Sequence, residues 1–355
     1  MENMVNQTFW LNKKVLVTGH TGFKGSWLSV WLHNMGAKVY GFALEPDTNP
    51  SLFHQLQLQE LVNHNIADIR NYGSVQKVIK NANPDVIIHM AAQPLVLRSY
   101  REPLYTWQTN VTGTINLLQA AKHIKKKCAL LVVTTDKVYA NQEWHYSYRE
   151  IDRLGGHDPY SSSKAATEIA VNSWRESYFS NESKIRLASA RAGNVIGGGD
   201  WAENRLIPDI VRALKKNEVI EIRNPTSVRP WQHVLEPLSG YLVLCEHLYQ
   251  NDDKKYQSAF NFGPMPGNNQ TVKELVQFAL SMWEGEWKDI SRGNQLHESG
   301  LLKVSIDKSY STLNWKPNWG FQKSVELTIK WYQKHMNGIG PFELILEQIN
   351  QYQQK

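Results

Sequence analysis

The chain is short of the features that would tie it to a membrane, a metal or an oxidising compartment. It has 2 cysteines in 355 residues, Cys128 and Cys245, both in apolar segments. There is no CxxC pair and no metal-ligand spacing, so no disulfide framework and no metal site are expected. No run of 18 apolar residues occurs, and the N-terminus lacks the layout of a secretory signal, so the expectation is a cytoplasmic protein off the membrane. Internal repeats and low-complexity linkers are missing as well. The net charge of +6 is diffuse, and Lys125-Lys126-Lys127, its one basic run, reads as a solvated helix end. That argues against a nucleic-acid partner and for small anionic ligands such as phosphates.

What is present is an ordinary globular composition, 41% hydrophobic against 20% charged, enough for one large or two intimately packed domains. Several of the 13 tryptophans (Trp201, Trp231, Trp315, Trp319) fall near loops, where packing is the expected use.

Residues 14–18 read as a buried strand, followed by Gly19-His20-Thr21-Gly22-Phe23-Lys24-Gly25 and an apolar-periodic helix through Leu28, Trp31 and Leu32. Glycines at this spacing let the backbone approach a pyrophosphate whose charge sits at the helix N-terminus. Further strands are expected at 38–44, ending at Ile66-Ala67-Asp68-Ile69-Arg70, at 85–89, 129–134 and 185–190, with long helices over 104–123 and 159–179. Strand–helix alternation predicts an α/β fold, a Rossmann-type doubly wound parallel sheet with ligands at the strands' carboxyl ends. The acid that often follows the second strand of an NAD site is missing, since Ala43 stands there and Glu45 and Asp47 come a turn later. No Arg follows to hold a 2′-phosphate, so the reading still leans to NAD. Asp68 is either an adenine contact or a strand-end cap. Small residues in Met90-Ala91-Ala92-Gln93 would let the backbone lie against a cofactor, and Asn110 reads as a brace for the active-site strand.

Asp158-Pro159 predicts a helix start, which stacks Tyr160 and Lys164 on one face of the first turns. A fixed ammonium beside a phenol favours the phenolate, the arrangement needed to take a proton from a sugar hydroxyl while hydride leaves the same carbon. With 15 tyrosines, about one Tyr-x-x-x-Lys is expected by chance, so the pair counts only in its context.

Beyond residue 190 the alternation breaks up. A glycine-rich loop spans Arg191 to Trp201, a helix starts at Arg205-Leu206-Ile207-Pro208, a strand follows at 218–222, and 227–233 reads as an exposed loop. Helix 236–249 and strand 259–262 rejoin the sheet, and helices near 271–283, 307–313 and 321–336 complete a smaller lobe. The expected division is 1–192 plus about 233–263 for the dinucleotide domain, with 193–232 and 264–355 as a sequence-interleaved mixed α/β substrate lobe.

Gly19-x-x-Gly22-x-x-Gly25, Thr135 and Tyr160-x-x-x-Lys164 resemble the extended short-chain dehydrogenase/reductase superfamily. Thr135-Asp136-Lys137, Arg191 through Trp201, Arg205 through Asp209 and Ser227 through His233 are similar to its nucleotide-sugar 4,6-dehydratase branch, over about residues 8–335. The resemblance implies NAD as cofactor and CDP-glucose as substrate, oxidised at C4, dehydrated across C5 and C6, and re-reduced at C6. It implies catalytic roles for Thr135 (bond to the 4-oxygen), Asp136 (acid for the 6-hydroxyl), Lys137 (C5 base, where other dehydratases carry Glu), Tyr160 and Lys164. An ammonium is no base, so Lys137 must act neutral. Cofactor contacts would come from Gly19, Thr21, Gly22, Phe23, Lys24, Gly25, Asp68, Ile69, Ala91, Ala92, Gln93, Asn110, Thr134, Tyr160 and Lys164. Substrate contacts would come from Asn194, Arg205, Leu206, Ile207, Arg229 and His297, with Arg229 best suited to a pyrophosphate. His233 reads as a packed loop histidine. The same helices 104–123 and 159–179 would pair in a homodimer or homotetramer. A 4-epimerase shares the Tyr/Lys core but does not need Asp136-Lys137, and a non-catalytic NAD-sensing module would need neither.

Overall fold

The computed structural model describes residues 5–179, 183–265, 267, 269–291 and 301–354. Its centre is a parallel sheet of 7 strands. Across the sheet the strands run Ala259–Phe262, Ile185–Ala192, Cys128–Val133, Val86–His89, Lys14–Thr18, Lys38–Ala43 and Asn63–Ile66. Cys128–Val133 and Val86–His89 are buried along their whole length, as solid aliphatic runs covered by helices on both faces must be. The chain order reverses between Lys14–Thr18 and Val86–His89, which pair directly, and such a reversal opens a crevice at the carboxyl ends of those two strands. Asp158 caps the helix Pro159–Ser177, its carboxylate accepting the Ser161 N–H at 2.9 Å, so the helix starts where the sequence indicates.

Several expectations are corrected. The helix expected over 104–123 is Pro103–Trp107, a π-helical turn Gln108–Thr112 and Gly113–Ala121. The cause lies at Asn110, whose carbonyl accepts the hydroxyls of Thr114 (2.7 Å) and Thr167 (3.0 Å) and so leaves the regular ladder. The third strand stops at Ile66, leaving Asp68 in the turn beyond it. The strand at 218–222 shortens to Ile220–Ile222, paired with Trp287–Asp289. Residues 227–233 are not an exposed loop. Val228–Arg229 pairs antiparallel with Gln270–Thr271, Gln232–His233 pairs with Val195–Ile196, and His233 is buried between Trp27 and Trp319 at ring distances of 5.7 and 5.0 Å. A final helix, Pro341–Gln353, was not expected. Its Ile345, Ile349 and Tyr352 form one apolar face, hidden in the sequence by a glutamine-rich surround. Tyr352 packs edge-on against Trp31 and Trp319 and donates to the buried Glu236 at 2.7 Å. Trp231, Trp315 and Trp319 are core residues, and both cysteines are buried thiols.

Candidate active site

Close packing at its two outer glycines shapes the loop at the crevice. Gly19 has φ +76°, and a Cβ there would lie 2.8 Å from the Ala91 nitrogen, while one on Gly25 would lie 2.1 Å from the Gly19 carbonyl. Around Gly22 the nearest atom to an added Cβ is 3.5 Å away, so this face of the loop is open. Gly22 caps the helix Phe23–Asn34, whose first N–H groups point into that opening. The Thr21 hydroxyl donates to the Leu44 carbonyl at 2.9 Å, and Phe23 packs on the core. Across the crevice, Thr18 Oγ1 accepts the N–H groups of Met90 (3.2 Å) and Ala91 (3.1 Å), which holds the Ala91-Ala92 backbone against the loop.

Asn110 braces, as expected. Its Oδ1 accepts the Gln93 N–H at 2.8 Å and its Nδ2 donates to the Gln93 carbonyl and to Ser163 Oγ, which uses both amide hydrogens. Asp68 is clamped by Arg70, whose Nε lies 2.9 Å from Oδ2 and whose hydrogen bond holds the carboxyl below its usual range. Ile69 is buried beneath Gly113. Thr134 spends its hydroxyl on Glu168 rather than on the crevice.

The reactive corner gathers on the end of Cys128–Val133 and the start of Pro159–Ser177. Tyr160 is hydrogen-bonded to Thr135. Thr135 Oγ1 donates to Asp136 Oδ1 at 3.0 Å, and Lys137 Nζ lies 3.4 Å from the same oxygen. Asp136 is 1% exposed, and its Oδ2 is buried without a hydrogen bond, facing Gly193, where a Cβ would come within 2.9 Å. Lys164 Nζ donates to the Val133 carbonyl at 3.2 Å. Burial pushes Lys164 down to about 8, with Glu168 pulling the other way. Lys24 donates to the Tyr241 hydroxyl at 3.1 Å and is pushed down to about 7, by burial first and then by the charges of Arg205 and Lys164. The expectation that Lys164 lowers the Tyr160 phenol is corrected. Burial pushes Tyr160 up to about 12, against the hydrogen bond from Thr135, so the protein's own groups do not make a phenolate.

Beneath this corner lies an unanticipated network. Glu168, one helical turn after Lys164, binds Arg191 (2.9 Å) and accepts from Ser189 (2.8 Å) and Thr134. Burial pushes Glu168 up, but Arg191 holds it below its usual range. The spacing of Lys164 and Glu168 was visible in the sequence. Their convergence with Arg191, which belongs to a strand, was not.

On the facing side Arg205 pairs with Asp200 at 2.9 Å while its charge reaches Tyr160 and Lys24. Leu206 is half-buried and Ile207 is 2% exposed in the hydrophobic core, so Arg205 alone of the three brings a polar head. Asn194 Oδ1 is buried without a partner, and Arg229 Nη1 donates to the Val228 carbonyl at 3.0 Å. His297 lies outside the described residues.

A reversed parallel sheet, an open glycine cradle at its switch point and a buried Tyr/Lys pair beside it define a dinucleotide-binding fold of the short-chain dehydrogenase/reductase kind. Within that class the chain belongs to the family described as GDP-mannose 4,6 dehydratase, whose profile matches residues 16–328. It is 44% identical to a CDP-glucose 4,6-dehydratase of Salmonella typhimurium over 94% of each chain. It is 24% identical to a UDP-glucose 4-epimerase of Halalkalibacterium halodurans, over 91% of this chain and 97% of that one. In fold it is similar to a dTDP-glucose 4,6-dehydratase of Streptomyces venezuelae solved with NAD, with a TM-score of 0.77 at 22% identity, over 92% of this chain and 99% of that one.

Proposed function

We propose that the chain converts CDP-D-glucose to CDP-4-keto-6-deoxy-D-glucose and water. The observation that carries this reading is Asp136, a carboxyl buried next to Thr135 and Tyr160 with one oxygen unpaired, which is where an elimination needs its acid and where an epimerisation needs nothing. The choice of cytidine rests on the 44% identical relative.

The cradle fits a dinucleotide. Gly22 leaves room for a pyrophosphate at a helix N-terminus, and Lys24, held down to about 7 by burial, would be drawn back to its charged form by an anion beside it. NAD+, when bound, supplies the acceptor for the C4 hydride and gives it back at C6. Gly19, Thr21, Gly22 and Gly25 hold its phosphates, with Ala91 and Ala92 lining the crevice opposite. Tyr160 takes the C4 hydroxyl proton once a positive ring and Lys164 offset the burial that holds the phenol up. Thr135 hydrogen-bonds the 4-oxygen. Lys137 removes the C5 proton made acidic by the new ketone, and Asp136 protonates the departing 6-hydroxyl. Arg205, Arg229 and Asn194 meet the substrate diphosphate, two guanidiniums with an amide beside them.

The domain division at residues 192, 233 and 263, a homodimer or homotetramer, and a cytoplasmic setting belong to the same reading. Turnover on CDP-, dTDP-, GDP- and UDP-glucose tests it. CDP-glucose is expected to give the ketone chromophore in alkali at a rate at least about tenfold above the others. An epimer without that chromophore would reverse the choice.

A further inference from the structure

The dehydratase reading, on which this inference rests, leaves the protons of the enzyme out of balance. The C4 hydroxyl gives a proton to Tyr160 as hydride leaves C4. Lys137 takes the C5 proton and returns it to C5. The C6 hydroxyl departs as water with a proton from Asp136, and hydride arrives at C6. The sugar has then lost one water and the hydride is back, but Tyr160 holds a proton too many and Asp136 one too few. Before the next turnover that proton must cross from the phenol to the carboxylate.

Solvent is poorly placed to carry it, since Asp136 is 1% and Tyr160 8% exposed. Thr135 spans the gap. Tyr160 is hydrogen-bonded to it, and its own hydroxyl donates to Asp136 Oδ1 at 3.0 Å. Thr135 has a single hydroxyl hydrogen and its Oγ1 meets both groups, so it can accept a proton from Tyr160 as it gives its own to Asp136 Oδ1.

We propose that the Thr135 hydroxyl is a proton shuttle that resets the site between turnovers. The Tyr160 O–H bond breaks as a new O–H bond forms on Thr135 Oγ1, and the proton already on Thr135 passes to Asp136 Oδ1. Phenolate and carboxylic acid result, with no co-reactant. The spent and reset forms hold the same number of protons and differ only in where one of them sits. The positive ring of a bound cofactor supplies the pull toward phenolate.

The test is rapid-quench kinetics of the holoenzyme with CDP-glucose in excess over sites, comparing wild type, Thr135→Ser and Thr135→Val. Thr135→Ser keeps the hydroxyl and is expected to cycle without a burst. Thr135→Val loses the bond to the 4-oxygen, so its first turnover slows, but its later turnovers are expected to slow a further tenfold or more, to about one product per site and then a slow phase. Imidazole or formate, small enough to ferry a proton, should speed that slow phase alone. If Thr135→Val slows first and later turnovers equally, or yields no product at all, Thr135 serves only the substrate, Asp136 is recharged another way (through the half-buried Lys137, for one), and the shuttle is wrong. A wild-type protein that forms no 4-keto-6-deoxy product sinks the dehydratase reading itself, a different failure.

Discussion

Gly22 and Gly25 separate ligand binding from folding within one helical turn. An alanine at Gly25 drives its Cβ to 2.1 Å from the Gly19 carbonyl and 2.7 Å from the His20 Cα, backbone atoms that can move only with the whole loop. Overpacking of this kind costs about 1–3 kcal/mol, and Gly25→Ala should lower the melting temperature as well as abolish dinucleotide binding. Gly22→Ala meets nothing closer than 3.5 Å at φ −79°, so its thermal midpoint should stay near that of wild type. Its methyl fills the space left for a pyrophosphate, and NAD affinity measured by calorimetry should fall by about tenfold or more, a loss of about 1.4 kcal/mol. Equal melting losses in both variants would mean that the cradle is a packing device and not a phosphate site. At this scale the sequence was legible where chemistry follows from residue type, as in the glycines and the Tyr160/Lys164 pair. It misled where environment decides, because burial outweighs a neighbouring ammonium in setting Tyr160.

Elements show the same division. The central strands Lys14–Thr18, Val86–His89 and Cys128–Val133 were legible as apolar runs closed by turns, whereas Asn63–Ile66 is mostly polar and exposed, and its end was misplaced; Asp158-Pro159 marks its helix start by capping chemistry. The π-helical turn at Gln108–Thr112 was not, since it depends on the Thr167 hydroxyl from another helix. The N-terminal helix Gln7–Trp10 is likewise held from outside: Glu246 Oε1, on Leu235–Gln250, accepts the Asn6 N–H at 3.0 Å and the Trp10 indole N–H at 2.7 Å. Burial pushes Glu246 up to about 7 from 4.5, with those two bonds opposing. A carboxyl raised in the folded state binds its proton more tightly there than in the unfolded chain. The stability it contributes is therefore full below pH 4.5 and is lost as pH rises through 7. Glu246→Gln keeps the accepting oxygen and removes the charge. It should stabilise the protein by about 1–3 kcal/mol at pH 8, with the gain shrinking toward pH 5 in denaturant titrations. A gain independent of pH would show that Glu246 is not buried as a charge.

At the scale of the whole molecule, the parallel, doubly wound sheet built from residues 14 to 262 follows from strand–helix alternation, which the sequence carries openly, while the order of its strands comes from the structure. The return of Pro341–Gln353 to the Phe23–Asn34 helix does not follow from alternation either, because contact between Trp31 and Tyr352 spans nearly the entire chain. Among the described residues, the outer faces of the paired helices are one of the places where large apolar side chains stay exposed. Leu104 is 70% exposed, Trp107 40% and Ile169 61%, on Pro103–Trp107 and on the helix that begins with Tyr160 and Lys164. Apolar residues gathered on neighbouring helices suit a two-fold interface, where each residue is buried twice. The proposed oligomer would then steady the helix that carries the Tyr/Lys pair. Leu104→Glu with Ile169→Glu places four carboxylates in such an interface, each costing several kcal/mol unless it escapes to water. Light scattering is expected to give a 40.8 kDa particle for the double variant and a multiple of that mass for wild type. Its NAD-binding sheet should remain folded by circular dichroism while turnover falls. A wild-type mass of 40.8 kDa at micromolar concentration would rule the interface out and leave these side chains as isolated surface residues.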